Sequence, residues 1–200
     1  MASIDRAGAL ISLIRPLIKR RLSVKLRIGF KDDFDYLVRF CRRLEDAGVE
    51  LITLHPRLVT EKFKRLARWE YVGLLGKELK IPVAGNGDIA SPEDLVRRAS
   101  GPCSAVMAGR AAVRLPWIFA AAREGSVSVN IEETGLKFLE LLSRYQPPDF
   151  HVSRAKRFFG FFCDNLKWGT FLKNQINREN SLARIEQVWR GYFLENREGD

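Results

Sequence analysis

Four residues, Lys25, His55, Asn86 and Arg110, follow one another at intervals of 30, 31 and 24 positions, and each stands within or at the end of a short run that reads as a strand. That interval is the length of a strand–helix repeat. A chain that keeps it has few alternatives to a parallel sheet with a helix between successive strands. The first run, residues 24–29 (Val-Lys-Leu-Arg-Ile-Gly), alternates apolar and basic side chains as a strand does. Residues 51–54 (Leu-Ile-Thr-Leu) form a continuous apolar run closing on His55. The third run enters Pro-Val-Ala-Gly-Asn-Gly-Asp-Ile at 82–89, and the fourth is Ala-Val-Met-Ala at 105–108, followed by Gly109-Arg110.

The segments between the runs read as helices. Phe34, Leu37, Val38, Cys41 and Leu44 recur at helical spacing behind the capping candidates Asp32 and Asp33, and the pattern stops at Ala47-Gly48. Further helices are expected over 69–79, over 91–99 behind a Ser91 cap with Pro92 in the first turn, and over 111–123 with Pro116 near the start. A short helix over 8–19, broken or started by Pro16, precedes the first strand. The order βαβαβαβα predicts an α/β fold, a parallel (β/α) half-barrel of the TIM type. The strand C-termini would form the ligand edge, as they do in barrels and open sheets alike. Four units alone leave two open sheet edges and one bare face. The sheet is then open, or completed by a separate chain, or part of a longer protein, and the last is the expectation.

After about residue 125 the pattern is helical throughout, punctuated by Pro147-Pro148 and Gly169, with an aromatic segment Phe158-Phe159-Gly160-Phe161-Phe162 that reads as core. The expected division is a half-barrel over 1–125 and a small all-α bundle over 126–200. Charge follows the same division. The net charge of +10 is distributed as +9 over residues 1–125 and +1 over 126–200. Such a balance suits a polyanionic partner or an anionic cofactor, the plain alternative being a solvated basic surface. Residues 56–68 are expected as a long polar loop carrying Arg57, Lys62, Lys64, Arg65 and Arg68 against one acid, Glu61.

No apolar stretch approaches the roughly 18 residues of a membrane span. The apolar patch at 7–14 follows Asp5 and Arg6 and lacks a small-residue cleavage site, which argues against a signal peptide. Cys41, Cys103 and Cys163 are odd in number and far apart, as reduced thiols of a cytoplasmic protein are, and with two histidines no metal-ligand spacing exists.

The strand ends carry the chemistry. Gly85-Asn86-Gly87-Asp88 and Gly109-Arg110 are glycine-bearing tips whose backbone N–H groups, with the Arg110 guanidinium, would cradle a phosphate; as turn residues they would do nothing more. Lys25 and Arg27 lie two apart on one strand face. They call for an anionic or electron-rich partner, the N1–C2=O edge of a flavin or an internal carboxylate such as Asp88. His55 would donate a hydrogen bond to a cofactor or substrate carbonyl, or serve the structure alone. No Ser/His/Asp, Cys/His or paired-carboxylate arrangement supports hydrolysis.

The stretches Val-Lys-Leu-Arg-Ile-Gly at 24–29, Leu-His-Pro-Arg at 54–57, Ile-Pro-Val-Ala-Gly-Asn-Gly-Asp-Ile at 81–89 and Val-Met-Ala-Gly-Arg-Ala at 106–111, with Pro116-Trp117-Ile118-Phe119 after them, resemble the second half of the tRNA-dihydrouridine synthases. The resemblance covers residues 8–122 and, more loosely, the tail. It implies the last four units of an FMN-binding TIM barrel and a helical tRNA-binding domain over 126–200, with NADPH reducing FMN and FMN reducing the C5–C6 bond of a tRNA uridine. By position it places Lys25 and His55 at the isoalloxazine, and Asn86, Gly87, Asp88, Gly109 and Arg110 at the ribityl phosphate. It places Arg57, Arg154, Lys156 and Arg157 at the RNA. Two departures stand out. Position 56 is proline where the family usually has glycine. The family's catalytic cysteine belongs to an Asn-x-Gly-Cys-Pro segment that none of Cys41, Cys103 or Cys163 matches, so no catalytic acid is expected in these residues. The alternatives are a non-catalytic RNA-binding remnant, or another FMN- or phosphate-binding barrel oxidoreductase.

Overall fold

The computed structural model describes residues 3–61 and 65–197. The chain forms two compact units, 1–109 and 110–200, each described here by itself. In the first unit four parallel strands, β1 (Ser23–Gly29), β2 (Leu51–Leu58), β3 (Val83–Asn86) and β4 (Ala105–Met107), stand in the order β1-β2-β3-β4. Helices α1 (Ile4–Ile14), α2 (Phe34–Asp46), α3 (Glu70–Glu78) and α4 (Pro92–Ala99) precede or connect them. The expected parallel α/β sheet with alternating helices is therefore what forms.

The alternation of side chains gives the sheet two unlike faces. Ile52 and Leu54 of β2 and Val83 of β3 are buried against Leu37, Cys41 and Leu44 of α2 and Val72 and Leu75 of α3. The helix α2 forms where its apolar stripe meets a cap: the Asp33 carboxylate accepts from the Tyr36 N–H at 2.8 Å, as an N-cap should. The opposite face carries Lys25 and Arg27, then Thr53 and His55, then Ala84 and Asn86, then Ala105 and Met107, with Arg27 level with His55 and Lys25 level with Thr53. No helix covers this second face among the described residues; Lys25, Ala105 and Met107 are exposed on it, while Thr53, His55 and Ala84 at its centre are buried.

Three expectations about elements change. The first helix starts at Ile4 and ends at Ile14, because Pro16 lies beyond it in a 3-10 turn over Arg15–Leu17. The strand β2 does not close at His55; it runs on through Pro56 to Leu58, past a register shift, pairing Leu58 with Gly29 of β1. Proline withholds an N–H but keeps its carbonyl, and here Pro56 O accepts from the Arg68 N–H at 2.9 Å, so the strand tolerates it. The helix expected over 111–123 is two, α5 (Arg110–Arg114) and α6 (Ile118–Glu124). Pro116 disfavours helical backbone at Leu115 and cannot donate to the turn before it.

The second unit holds α5 and α6 with α7 (Ile131–Tyr145), α8 (His151–Phe162), α9 (Gly169–Arg178) and α10 (Leu182–Arg197). Phe158, Phe159 and Phe162 of α8 are core residues, packed with Leu139, Leu172, Ile176, Ile185 and Trp189. The Trp189 indole donates to Glu132 O at 3.0 Å, satisfying the one polar atom that burying it would strand. Asn165 Nδ2 donates to both Arg114 O and Phe162 O, tying the end of α5 to the end of α8.

Candidate functional site

The polar sheet face is built from ordinary strand periodicity. Because side chains two apart point the same way, the basic–apolar alternation of β1 sends Lys25 and Arg27 to one side while Leu26 and Ile28 go to the other. Thr53 and His55 follow the same rule on β2, and Arg57 lies in the register shift beyond them; the three are 4%, 6% and 3% exposed. His55 thus sits beside Arg27 in a row of cations. Its Nε2 is buried and has no hydrogen-bond partner among the described residues. Burial, and then the charges of Arg27, Lys25 and Arg57, push its pKa down to about 4, against a small upward pull from Asp88. At neutral pH the imidazole is uncharged and can either donate or accept at a ligand. Burial and Arg27 also lower the pKa of Lys25.

Arg57, expected at the RNA, lies inside the unit. Its guanidinium donates to Asp88 Oδ1 at 2.6 Å and, through Nε, to Arg65 O. Asp88, expected at a phosphate, has its other oxygen occupied as well, accepting from the Ala67 N–H at 2.6 Å. Removing one partner from so buried a pair costs about 3–5 kcal/mol. The carboxylate therefore organises the polypeptide around it, and an anion at this tip would be met by backbone N–H groups. Asp88 adopts φ +54°, a left-handed conformation that aspartate and asparagine tolerate better than most residues.

The glycines of the β3 tip make room chiefly for the protein's own rings. A Cβ on Gly85 would stand 2.2 Å from the Trp69 ring, and one on Gly87 would stand 2.8 Å from His55 Cδ2. Trp69 also donates from its indole to Gly87 O at 3.0 Å, and the Arg98 guanidinium lies 4.7 Å above its ring. Gly109, by contrast, faces open space, and both it and Arg110 are exposed. Asn86 Nδ2 donates to Met107 O at 2.7 Å, bracing β3 against β4. Trp69 carries no ligand-binding motif in the sequence beyond being a large aromatic at a helix start, and its packing against the β3 tip marks it as part of the site.

The loop after β2 is clipped at both ends. Arg68 pairs with Glu61 at 2.6 Å and with Asp32 at 3.1 Å, and Glu61 accepts from the Leu58 N–H at 2.9 Å. The Arg68 guanidinium holds the Glu61 carboxyl down to about 2. Lys62 and Lys64 of the expected basic loop lie outside the described residues.

In the second unit Arg154 and Arg157 are exposed one turn apart on α8, while Lys156 points elsewhere and is half-buried. Both arginines border an apolar groove of about 1080 Å³ whose walls include Phe138, Leu141, Tyr145 and Phe161. Arg154 stacks over Phe150 at 5.1 Å.

None of the three thiols lies on the polar face of the sheet. Cys41 and Cys163 are buried and their pKa values are pushed up to about 12 by burial, and Cys103 is half-buried and raised for the same reason. No cluster of three metal-ligating side chains occurs among the described residues, and no described helix is long and apolar enough to cross a membrane.

Comparison with known proteins finds relatives of one family. An Aquifex aeolicus protein named "Probable tRNA-dihydrouridine synthase" is 36% identical over 124 residues, covering 61% of this chain and 39% of that protein. A Synechocystis protein named "Probable tRNA-dihydrouridine synthase 1" is 26% identical over 187 residues, 88% of this chain and 52% of that one. A Xenopus laevis protein named as a tRNA-dihydrouridine(47) synthase-like protein is 36% identical over 104 residues, 52% of this chain and 16% of its own. The chain thus spans about half or less of the length of these curated relatives. The family model described as dihydrouridine synthase matches residues 1–162, from the first helix through the end of α8, and the chain belongs to that family.

Proposed function

We propose that this chain supplies the flavin-phosphate end and the RNA-contacting helices of an FMN-dependent tRNA-dihydrouridine synthase, with NADPH as reductant. The observation that carries the reading is the polar sheet face, where a neutral His55 with an unpartnered buried Nε2 stands level with Arg27 and beside Lys25. A buried polar atom left without a partner fits a bound group that provides one. Two cations beside it fit the isoalloxazine edge that gains negative charge on reduction. The proposed phosphate contacts are the backbone at Asn86, Gly87 and Asp88, the open Gly109 and the guanidinium of Arg110. When bound, the flavin supplies the hydride chemistry that no side chain here offers.

The chain's own groups would bind and orient. Lys25 and Arg27 offset negative charge on the cofactor, and His55 fixes one hydrogen bond to it. Arg154 and Arg157 would pair with tRNA phosphates, contacts that hold the RNA without reading its sequence. The proton required at the uracil carbon has no donor among Cys41, Cys103 and Cys163. We therefore assign these residues to binding, with the acid brought by another segment or a separate chain that completes the barrel. The proposed location is the cytoplasm, with the tRNA substrate.

Flavin retention tests the reading. After incubation with FMN and desalting, the wild-type chain is expected to keep yellow absorbance near 450 nm (roughly where oxidised flavins absorb), and Lys25→Ala is expected to lose it. The absence of a suitably placed cysteine favours one second reading, an RNA-binding protein without catalysis. Salt-sensitive tRNA binding with no flavin retention would select it.

A further inference from the structure

The Arg57–Asp88 pair stands next to the proposed cofactor face without belonging to the expected contacts of that face. Arg57 is 3% exposed, Asp88 accepts from it and from the Ala67 N–H, and Arg57 Nε reaches Arg65 O. One ion pair thus ties three pieces together: the extended end of β2, residues 65–67 ahead of α3, and the tip of β3. Gly87, the residue before Asp88, is packed against the His55 ring with no space for a Cβ. Any shift of Asp88 moves the peptide that rests on His55.

We propose that Arg57 and Asp88 are positioning residues, whose ion pair seats the β3 tip against His55 and cancels the third cation in the row that His55 faces. The proposal rests on the reading that this strand end is the cofactor site. The charged groups facing His55 are Lys25 and Arg27 from β1, Arg57 from its own strand, and Asp88 from the β3 tip. With the pair intact the cofactor meets Lys25 and Arg27 of β1 and a neutral imidazole. Breaking the pair from either side changes that charge in opposite directions, and this separates positioning from a general structural role.

The experiment is an NMR titration of the His55 ring in the full 200-residue chain. Three variants are compared: Arg57→Met, which removes the cation; Asp88→Asn, which keeps a side chain suited to φ +54°; and Arg57→Lys, which keeps charge without the fork. Arg57→Met is expected to raise the His55 midpoint by about one unit, because a cation leaves and the carboxylate remains. Asp88→Asn is expected to hold it at or below the wild-type midpoint. Arg57→Lys is expected to leave the midpoint low while loosening the Ala67 amide, seen as faster hydrogen exchange. Shifts of the same sign in Arg57→Met and Asp88→Asn, or none in either, would overturn the proposal. Movement of both variants to the midpoint of an unfolded histidine would do so too, showing a merely structural pair. FMN titration of the same samples is the second arm. If wild type binds FMN, Arg57→Met and Asp88→Asn should each weaken it at least about tenfold. Failure of wild type to bind FMN would sink the cofactor reading and leave the His55 titration to decide the positioning.

Discussion

Gly87 lies against the edge of the His55 imidazole: a Cβ at position 87 would stand 2.8 Å from Cδ2 and 3.0 Å from Nε2, and the backbone there has φ +119°. Gly87→Ala therefore meets both a steric and a conformational penalty, expected to total about 2–4 kcal/mol. Urea denaturation of the variant should show the loss, and Gly109→Ala, which faces open space, should show little.

The pH dependence of stability should have a component from His55. Its folded pKa is lowered from 6.5 to about 4, so between those values the unfolded chain binds the proton and the folded chain does not. Stability from this group is complete above pH 6.5 and is lost as pH falls toward 4. Glu61 is depressed from 4.5 to about 2, and its contribution is lost over that lower window. Urea midpoints measured at intervals from pH 7 to pH 4 should fall, and His55→Gln should flatten the slope in that range while leaving the more acid limb.

Thiol reactivity should rank by burial. With pKa values near 12, Cys41 and Cys163 are about one part in ten thousand thiolate at pH 8, and they are shielded as well. A disulfide reagent added to native protein should modify Cys103 first and reach the other two at the rate of unfolding. Rapid reaction of all three would contradict the packing of α2 and α8.

Gly135 of α7 faces the Trp189 indole, and a Cβ there would lie 2.5 Å from the ring. Gly135→Ala should gain helix propensity yet destabilise the helical unit by about 1–3 kcal/mol through overpacking. Denaturation followed by tryptophan fluorescence will show which effect wins.

Under the proposed function, Arg154→Ala and Arg157→Ala should each lower tRNA affinity and reduce the slope of log affinity against log salt by about one. Lys25→Ala should leave that slope unchanged. Filter binding across a salt series measures both, and unaltered slopes in the arginine variants would remove α8 from the RNA interface.

The sheet was legible because its evidence is local. The roughly thirty-residue interval, the Asp33 and Ser91 caps and the alternation on β1 are each properties of a few neighbouring residues, and they dictate parallel strands, helix starts and two unlike sheet faces. The grouping of Lys25 with Arg27 on one face follows from a side-chain period of two, while the β1–β2 register sets His55 beside Arg27. The tertiary structure alone decided what met across the chain. Arg57 reads in sequence as one more cation of a basic loop, and only the 31-residue approach of Asp88 turns it into a buried ion-pair partner. Gly85 and Gly87 read as openings for a ligand, and only the packing of Trp69 and His55 shows what fills the space. Periodicity specifies which way a side chain points. The identity of its partner depends on how distant segments close on one another.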